Sequence, residues 1–188
     1  MKLVIASDIH GSAAYARQLM SVIERESPDQ VALLGDLLYH GPRNDLPAGY
    51  APKEVAALLN GIADCVVAVR GNCDAEVDQM MLDFPCTADY AQIVDGAGRM
   101  LFLTHGHIWG AGFHNSVDRV PALPAGSALL FGHTHVKVNE EAAAHPGIWA
   151  FNPGSTSIPK DGSHSCGVYE SGAPIAEAFR HVLLDDLA

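Results

Sequence analysis

A chain of 188 residues, 48% hydrophobic and 18% charged, is long enough to bury a substantial core and too apolar for a disordered polymer. Its formal charge of −11 works against general nucleic-acid binding or attachment to an anionic membrane, both of which need clustered Lys and Arg. It leaves room for small phosphate esters, because bound metal ions supply positive charge locally. Cys65, Cys73, Cys86 and Cys166 form no CxxC pair, the N-terminus carries no signal-like run, and no apolar stretch approaches the ~20 residues of a membrane span. The expectation is one soluble cytoplasmic domain, residues 1–188, with reduced thiols.

Leu3-Val4-Ile5-Ala6 reads as a first buried strand. Ser12 is placed to cap a helix from Ala13 to Glu26, where Ala16, Leu19, Met20 and Ile23 recur at helical spacing. Val31–Leu34 is a second strand. Three prolines and two glycines make His40 to Pro52 a long loop. Pro52 suits the first turn of a second helix with an apolar stripe at Val55, Leu58, Leu59 and Ile62. Cys65–Val69 is a third strand. Asp74 either caps a short helix running to Leu82 or orients the loop around it; the sequence leaves both readings open.

Strand, helix, strand, helix, strand favours parallel pairing with right-handed crossovers. The second half differs. Ala91–Val94 and Arg99–Leu103, joined by Asp95-Gly96-Ala97-Gly98, read as a hairpin. Residues 110–126 hold at most one short helix, and short strands follow near Ala128–Phe131, Val136–Glu140, Ile148–Phe151, Gly167–Glu170 and Ile175–Arg180. The fold expected is α/β: a four-layer α-β-β-α sandwich of two mixed sheets flanked by helices.

Five of the apolar runs stop at residues of ligand type. Asp8 and His10 follow the first, Asp36 the second, Asn72 the third, His105 the hairpin's second strand, and His133 and His135 the run Ala128–Phe131. Ligands collect beyond strand ends in sheet-based folds. His133 and His135, two apart, face the same side of an extended chain. Seven candidate ligands exceed what one divalent ion takes, so two ions sharing Asp36 fit better. Carboxylate, imidazole and amide oxygen suit Mn, Fe or Zn without a thiolate. His40, His114, His145, His164 and His181 read as structural or surface residues. His107 stands between, as a neighbour of the centre or a rim residue touching substrate. Arg43, beside Asn44 in the long loop, is either a solvated surface residue or a partner for a phosphate oxygen.

The order Asp-x-His, Gly-Asp, Gly-Asn-x-Asp, His, Gly-His-x-His resembles the calcineurin-like metallophosphoesterases. More closely, it resembles a bacterial group of phosphodiesterases through Ser7-Asp8-Ile9-His10-Gly11, Gly41-Pro42-Arg43-Asn44, Arg70-Gly71-Asn72-Cys73-Asp74, Thr104-His105-Gly106-His107 and Phe151-Asn152-Pro153-Gly154-Ser155. The resemblance implies a two-sheet sandwich with a dinuclear centre, typically Mn. Asp8, His10, Asp36 and His135 would hold one ion; Asp36, Asn72, His105 and His133 would hold the other. Two ions about 3.5–4 Å apart lower the pKa of the water between them, and the resulting hydroxide attacks phosphorus.

Asp36, Asn72, Cys73 and Asp74 would then form the reactive centre, and Arg43, Asn44 and His107 would contact a small phosphodiester. Many family members have His where this chain has Cys73, which points to diesters with good leaving groups. The alternatives are a phosphomonoesterase or nuclease of the same superfamily, or a catalytically dead assembly scaffold. A dead scaffold would be expected to lose ligands, and all seven are present. Oligomeric state stays open, a homo-oligomer included.

Overall fold

Strand β1 (Lys2–Ala6) shows why its sequence is apolar without alternation. Leu3 and Ile5 face the space between two sheets, while Val4 and Ala6 face a layer of helices. A strand buried on both faces reads as a continuous apolar run. The computed structural model describes residues 1–110 and 117–184. After β1 come α1 (Ala13–Glu26), β2 (Gln30–Leu33), α2 (Pro52–Asn60), β3 (Val66–Ala68) and the single-turn α3 (Glu76–Gln79). Ser12 caps α1 as expected, its hydroxyl accepting from Tyr15 N at 3.4 Å. The second half contributes β4 (Tyr90–Val94), β5 (Met100–Thr104), β6 (Ala128–Leu130), β7 (Lys137–Glu141), β8 (Trp149–Pro153), β9 (Ser165–Glu170) and β10 (Phe179–Leu183).

The strands form two five-stranded mixed sheets, ordered β10-β9-β1-β2-β3 and β4-β5-β6-β8-β7. In the first, β1, β2 and β3 are parallel, and β9 and β10 join antiparallel. In the second, β5, β6 and β8 are parallel, with β4 and β7 antiparallel at the edges. The expected two-sheet sandwich is therefore present. Its central core joins Leu3, Ile5, Ala32 and Leu34 to Leu101, Leu103, Leu130 and Phe151 of the facing sheet. Helices α1 and α2 cover the first sheet's other face. Over the second sheet, the fourth layer is built, among the described residues, from loop residues such as Val117, Val120 and Ile148 packed on Phe102 and Leu129.

Two expectations change in detail. The strand expected at Ile175–Arg180 starts later: Ile175–Glu177 is a 3-10 turn entered from Pro174, and β10 pairs from Phe179, opposite Tyr169. Phe179 and Val182 of that strand are buried, one towards each core. The third strand is likewise shortened by a 3-10 turn at Ala63–Cys65. Asp95, at the hairpin corner, ties the sheets together. It accepts from Ala97 N and Arg99 N in its own turn, and from the Tyr169 and Ser171 hydroxyls of the first sheet. Those bonds hold the Asp95 carboxyl down at about 2 although burial opposes the charge. Of the histidines read as structural, His145 contacts Val117 O, His164 stacks on Tyr15, and His181 stacks on Phe151. His40 packs edge-on against Tyr39 and Tyr50. His114 lies outside the described residues.

Candidate metal centre

The parallel strands of both sheets end at one place. Asp8 and His10 follow β1, Asp36 follows β2, Asn72 follows β3, His105 follows β5, and His133 and His135 follow β6. Backbone strain marks the same spot. Six non-glycine residues among those described have left-handed φ: Asp8, His10, Asp36, His133, His135 and Ser27. Ser27 ends α1; the other five are among the seven predicted ligands. Each such residue costs on the order of 1–2 kcal/mol, so the surroundings must over-determine it. They do. Past the strands, Asp8 N bonds Gly35 O at 3.0 Å, His10 N bonds Asp36 O at 2.9 Å and Gly11 N bonds Leu37 O at 3.0 Å.

Three imidazoles are fixed alike. The Nδ1 of His10 lies 2.8 Å from Tyr39 O, that of His105 2.7 Å from Leu34 O, and that of His135 2.7 Å from Ile158 O. A carbonyl only accepts, so each Nδ1 carries hydrogen and each Nε2 is left to face inward. Around the Asp8 carboxylate, His135 Nε2 stands 3.1 Å from Oδ1 and His10 Nε2 3.6 Å. Around Asp36 Oδ2, His105 Nε2 stands at 3.5 Å and His10 Nε2 at 3.7 Å. Asn72 Oδ1 is 3.1 Å from His105 Nε2. Ligand atoms of Asp8, His10 and His135, and separately of Asp36, His105 and His133, lie within 4.8 Å of one another.

Asp8 Oδ1 is fully buried and receives no hydrogen bond. The His10 and His135 Nε2 atoms are 3.4 Å apart, two lone pairs facing each other unless a proton or a cation lies between. This donor set of oxygens and imidazoles fits a divalent cation of the Mn, Fe or Zn type. Without one, protons take its part. Burial opposes charge on His105, but Asp36 outweighs it and lifts His105 to about 9. His10 is raised the same way, through Asp8. Burial and the charged His105 push His133 and His107 down to about 4. Asp8 is held well below the carboxylate range, burial notwithstanding, by His10 and His135.

The choice left open at Asp74 is settled by geometry. Its carboxylate accepts from Asp36 N (2.8 Å), Leu37 N (2.9 Å) and Gly71 N (2.7 Å), clamping the ends of β2 and β3 together. It caps no helix; the cap position falls on Ala75, whose N donates to Asp78, and α3 ends at Gln79 rather than reaching Leu82. Two motif glycines are required by close approach. A Cβ on Gly71 would fall 2.1 Å from Asp36 Oδ1, and one on Gly132 would fall 1.9 Å from Ser7 Oγ.

A cavity of about 690 Å³ opens over the centre, with Arg43, Asn44, Cys73 and Lys160 on its walls. Arg43 is exposed at the rim, while Asn44 braces its own loop through His40 O. Cys73 Sγ accepts from Asn72 Nδ2, and burial with the Asp36 charge raises its pKa far above a free thiol's. His107 packs its ring against His105 and His133 rather than lining the cavity.

Several supporting roles escaped the sequence reading. Ser7 Oγ donates to Asp8 Oδ2 at 2.6 Å, and the Ser155 and Ser157 hydroxyls both donate to Asp8 O. Asn152 donates to Gly132 O, steadying the turn into His133. Of the motif segment Phe151–Ser155, Phe151 to Pro153 end β8 and none of the five lines the cavity; Lys160, which does, gave no signal at all.

Fold and centre together define a metal-dependent hydrolase of phosphate esters, and the family comparison agrees. A model of the calcineurin-like phosphoesterase superfamily domain matches residues 1–172, and the chain belongs to that superfamily. It is 48% identical to phosphodiesterase YfcE of Escherichia coli K12 over 163 residues, 87% of this chain and 83% of that protein. The solved structure of the E. coli YfcE phosphoesterase superposes with TM-score 0.88 at 43% identity, covering all of this chain and 96% of that one. An archaeal phosphodiesterase (TM-score 0.65, 19% identity, 97% and 99% covered) and Chaetomium thermophilum Vps29 (0.61, 15%, 92% and 82%) share the fold. Among the described residues no helix is long and apolar enough to cross a membrane.

Proposed function

We propose that this protein hydrolyses small phosphodiesters at a centre of two divalent metal ions, Mn²⁺ foremost, in the cytoplasm. One observation carries the reading: a fully buried Asp8 oxygen without a hydrogen bond faces imidazole nitrogens whose far sides are locked onto backbone carbonyls. When bound, two such ions supply a water activated at neutral pH and positive charge for the phosphoryl oxygens. Asp8, His10, His135 and Asp36 would hold one, and Asp36, Asn72, His105 and His133 the other.

The remaining roles belong to the chain itself. Asp74 sets the Asp36 backbone, so the shared carboxylate keeps its place. Arg43 and Lys160, on the cavity wall, offer positive charge to a phosphodiester's oxygens. The four cysteines are free thiols, in keeping with a reducing compartment. The test is hydrolysis of bis(4-nitrophenyl) phosphate by metal-free protein with added Mn²⁺. Activity that rises with Mn²⁺ and vanishes with chelator supports the reading; activity indifferent to both defeats it.

A further inference from the structure

Beside the cavity over the metal centre lies a second, apolar one of about 360 Å³. Leu38, Tyr39, Tyr50, Pro52, Val77 and Met81 form most of its surface. Tyr39, Cys73 and Ala75 wall both spaces, so the two adjoin. The apolar groove is also built onto the centre. The carbonyl of Tyr39 fixes His10, and the Tyr50 ring leaves so little room over Gly11 that a Cβ there would fall 2.5 Å from it. Of its charged neighbours, Asp78 is turned inward to accept from Ala75 N, and Lys53 lies exposed.

Val77 and Met81 nevertheless present 59% and 42% of their surface to water, and Tyr39 presents 41%. Apolar side chains exposed around a concavity that adjoins a reactive centre mark a ligand subsite. Two aromatic rings and a thioether suit a flat ring.

We propose that this groove binds an apolar, preferably aromatic, ester arm of the phosphodiester, and so sets the substrate class. Resting on the phosphodiesterase reading above, the inference goes further by naming what hangs from the phosphate. The arm reaches past Cys73 while the phosphate stays over Asp36. A diester with two small polar arms would leave the groove wet and bind weakly.

The experiment is calorimetric titration of the Mn²⁺-loaded protein with phenylphosphonate and with methylphosphonate. They share a head group and differ only in the arm. Wild type should bind phenylphosphonate about tenfold or more tightly than methylphosphonate, as burial of one ring predicts. In Val77→Ser/Met81→Ser that preference should fall to about threefold or less, because polar walls remove the apolar contact. Val77→Asp, at a more exposed position, gives the same readout if the double variant folds poorly.

Equal binding of both phosphonates by wild type overturns the inference, as does a preference untouched by the variants. An unchanged preference with an altered sedimentation coefficient would assign the groove to contact between copies of the chain, and also overturns it. Hydrolysis dependent on Mn²⁺ in any of these cases leaves the phosphodiesterase reading standing. No phosphonate binding and no such hydrolysis would bring down both.

Discussion

Gly132 is the tightest point of the centre, and replacing it with alanine makes a sharp prediction. The added Cβ would sit 1.9 Å from Ser7 Oγ, 2.9 Å from Ser7 Cβ and 2.9 Å from Asp8 Oδ2. The Ser7 hydroxyl must swing away, which breaks its 2.6 Å bond to Asp8 Oδ2. Losing a hydrogen bond to a buried carboxylate costs about 1.5–3 kcal/mol. Overpacking against Ser7 Cβ adds about 1 kcal/mol or more. The sum is about 3 kcal/mol, or a melting temperature lower by about 6–12 °C in a chain of this length.

The cause can be separated from a general intolerance. Ser7→Gly removes both Ser7 contacts, so Gly132→Ala should cost about 2 kcal/mol less in that background than alone. The assay is urea unfolding of wild type, the two single variants and the double variant, all metal-free. Additive effects would refute the reasoning, as would an alanine variant as stable as wild type.

Further expectations concern other parts of the molecule. Asp95 has a pKa near 2 in the fold, below its unfolded value, so its stabilisation is present above about pH 5 and is lost as pH falls towards 2. Between pH 6 and pH 3 wild type should lose about 1 kcal/mol more unfolding free energy than Asp95→Asn; parallel curves in urea melts would oppose this. Chelation should lower the melting temperature: free Mn²⁺ about 1,000-fold above Kd adds about 4 kcal/mol, and an unmoved melting curve would count against a resident metal. Cys73→His should raise turnover of diesters with poor leaving groups, and a panel of aryl diesters graded by phenol pKa showing no gain would remove that role from position 73.

The ligand-type residues were legible because each ends an apolar run, and a run buried on both faces leaves its polar end conspicuous. Residue type at the ends of five apolar runs brought seven side chains to one proposal, and the structure gathers them. What orients them was not legible. The carbonyls of Tyr39, Leu34 and Ile158 aim three imidazoles, and any residue type supplies a carbonyl. Ser155 and Ser157 reach Asp8 from nearly 150 positions away, and a serine near a turn carries no mark of that. Asp74 looked equally suited to capping a helix because a carboxylate accepts backbone N–H groups in either setting. The start of β10 was misjudged for a related reason: Ile175 is apolar and follows a proline, yet the pairing partner of Tyr169 is Phe179.

Two cations sharing Asp36 are best tested by anomalous diffraction from crystals grown with Mn²⁺. The expected map has two manganese peaks on either side of the Asp36 carboxylate, one beside Asp8, His10 and His135, the other beside Asn72, His105 and His133. A single peak, or peaks away from Asp36, would contradict the shared centre.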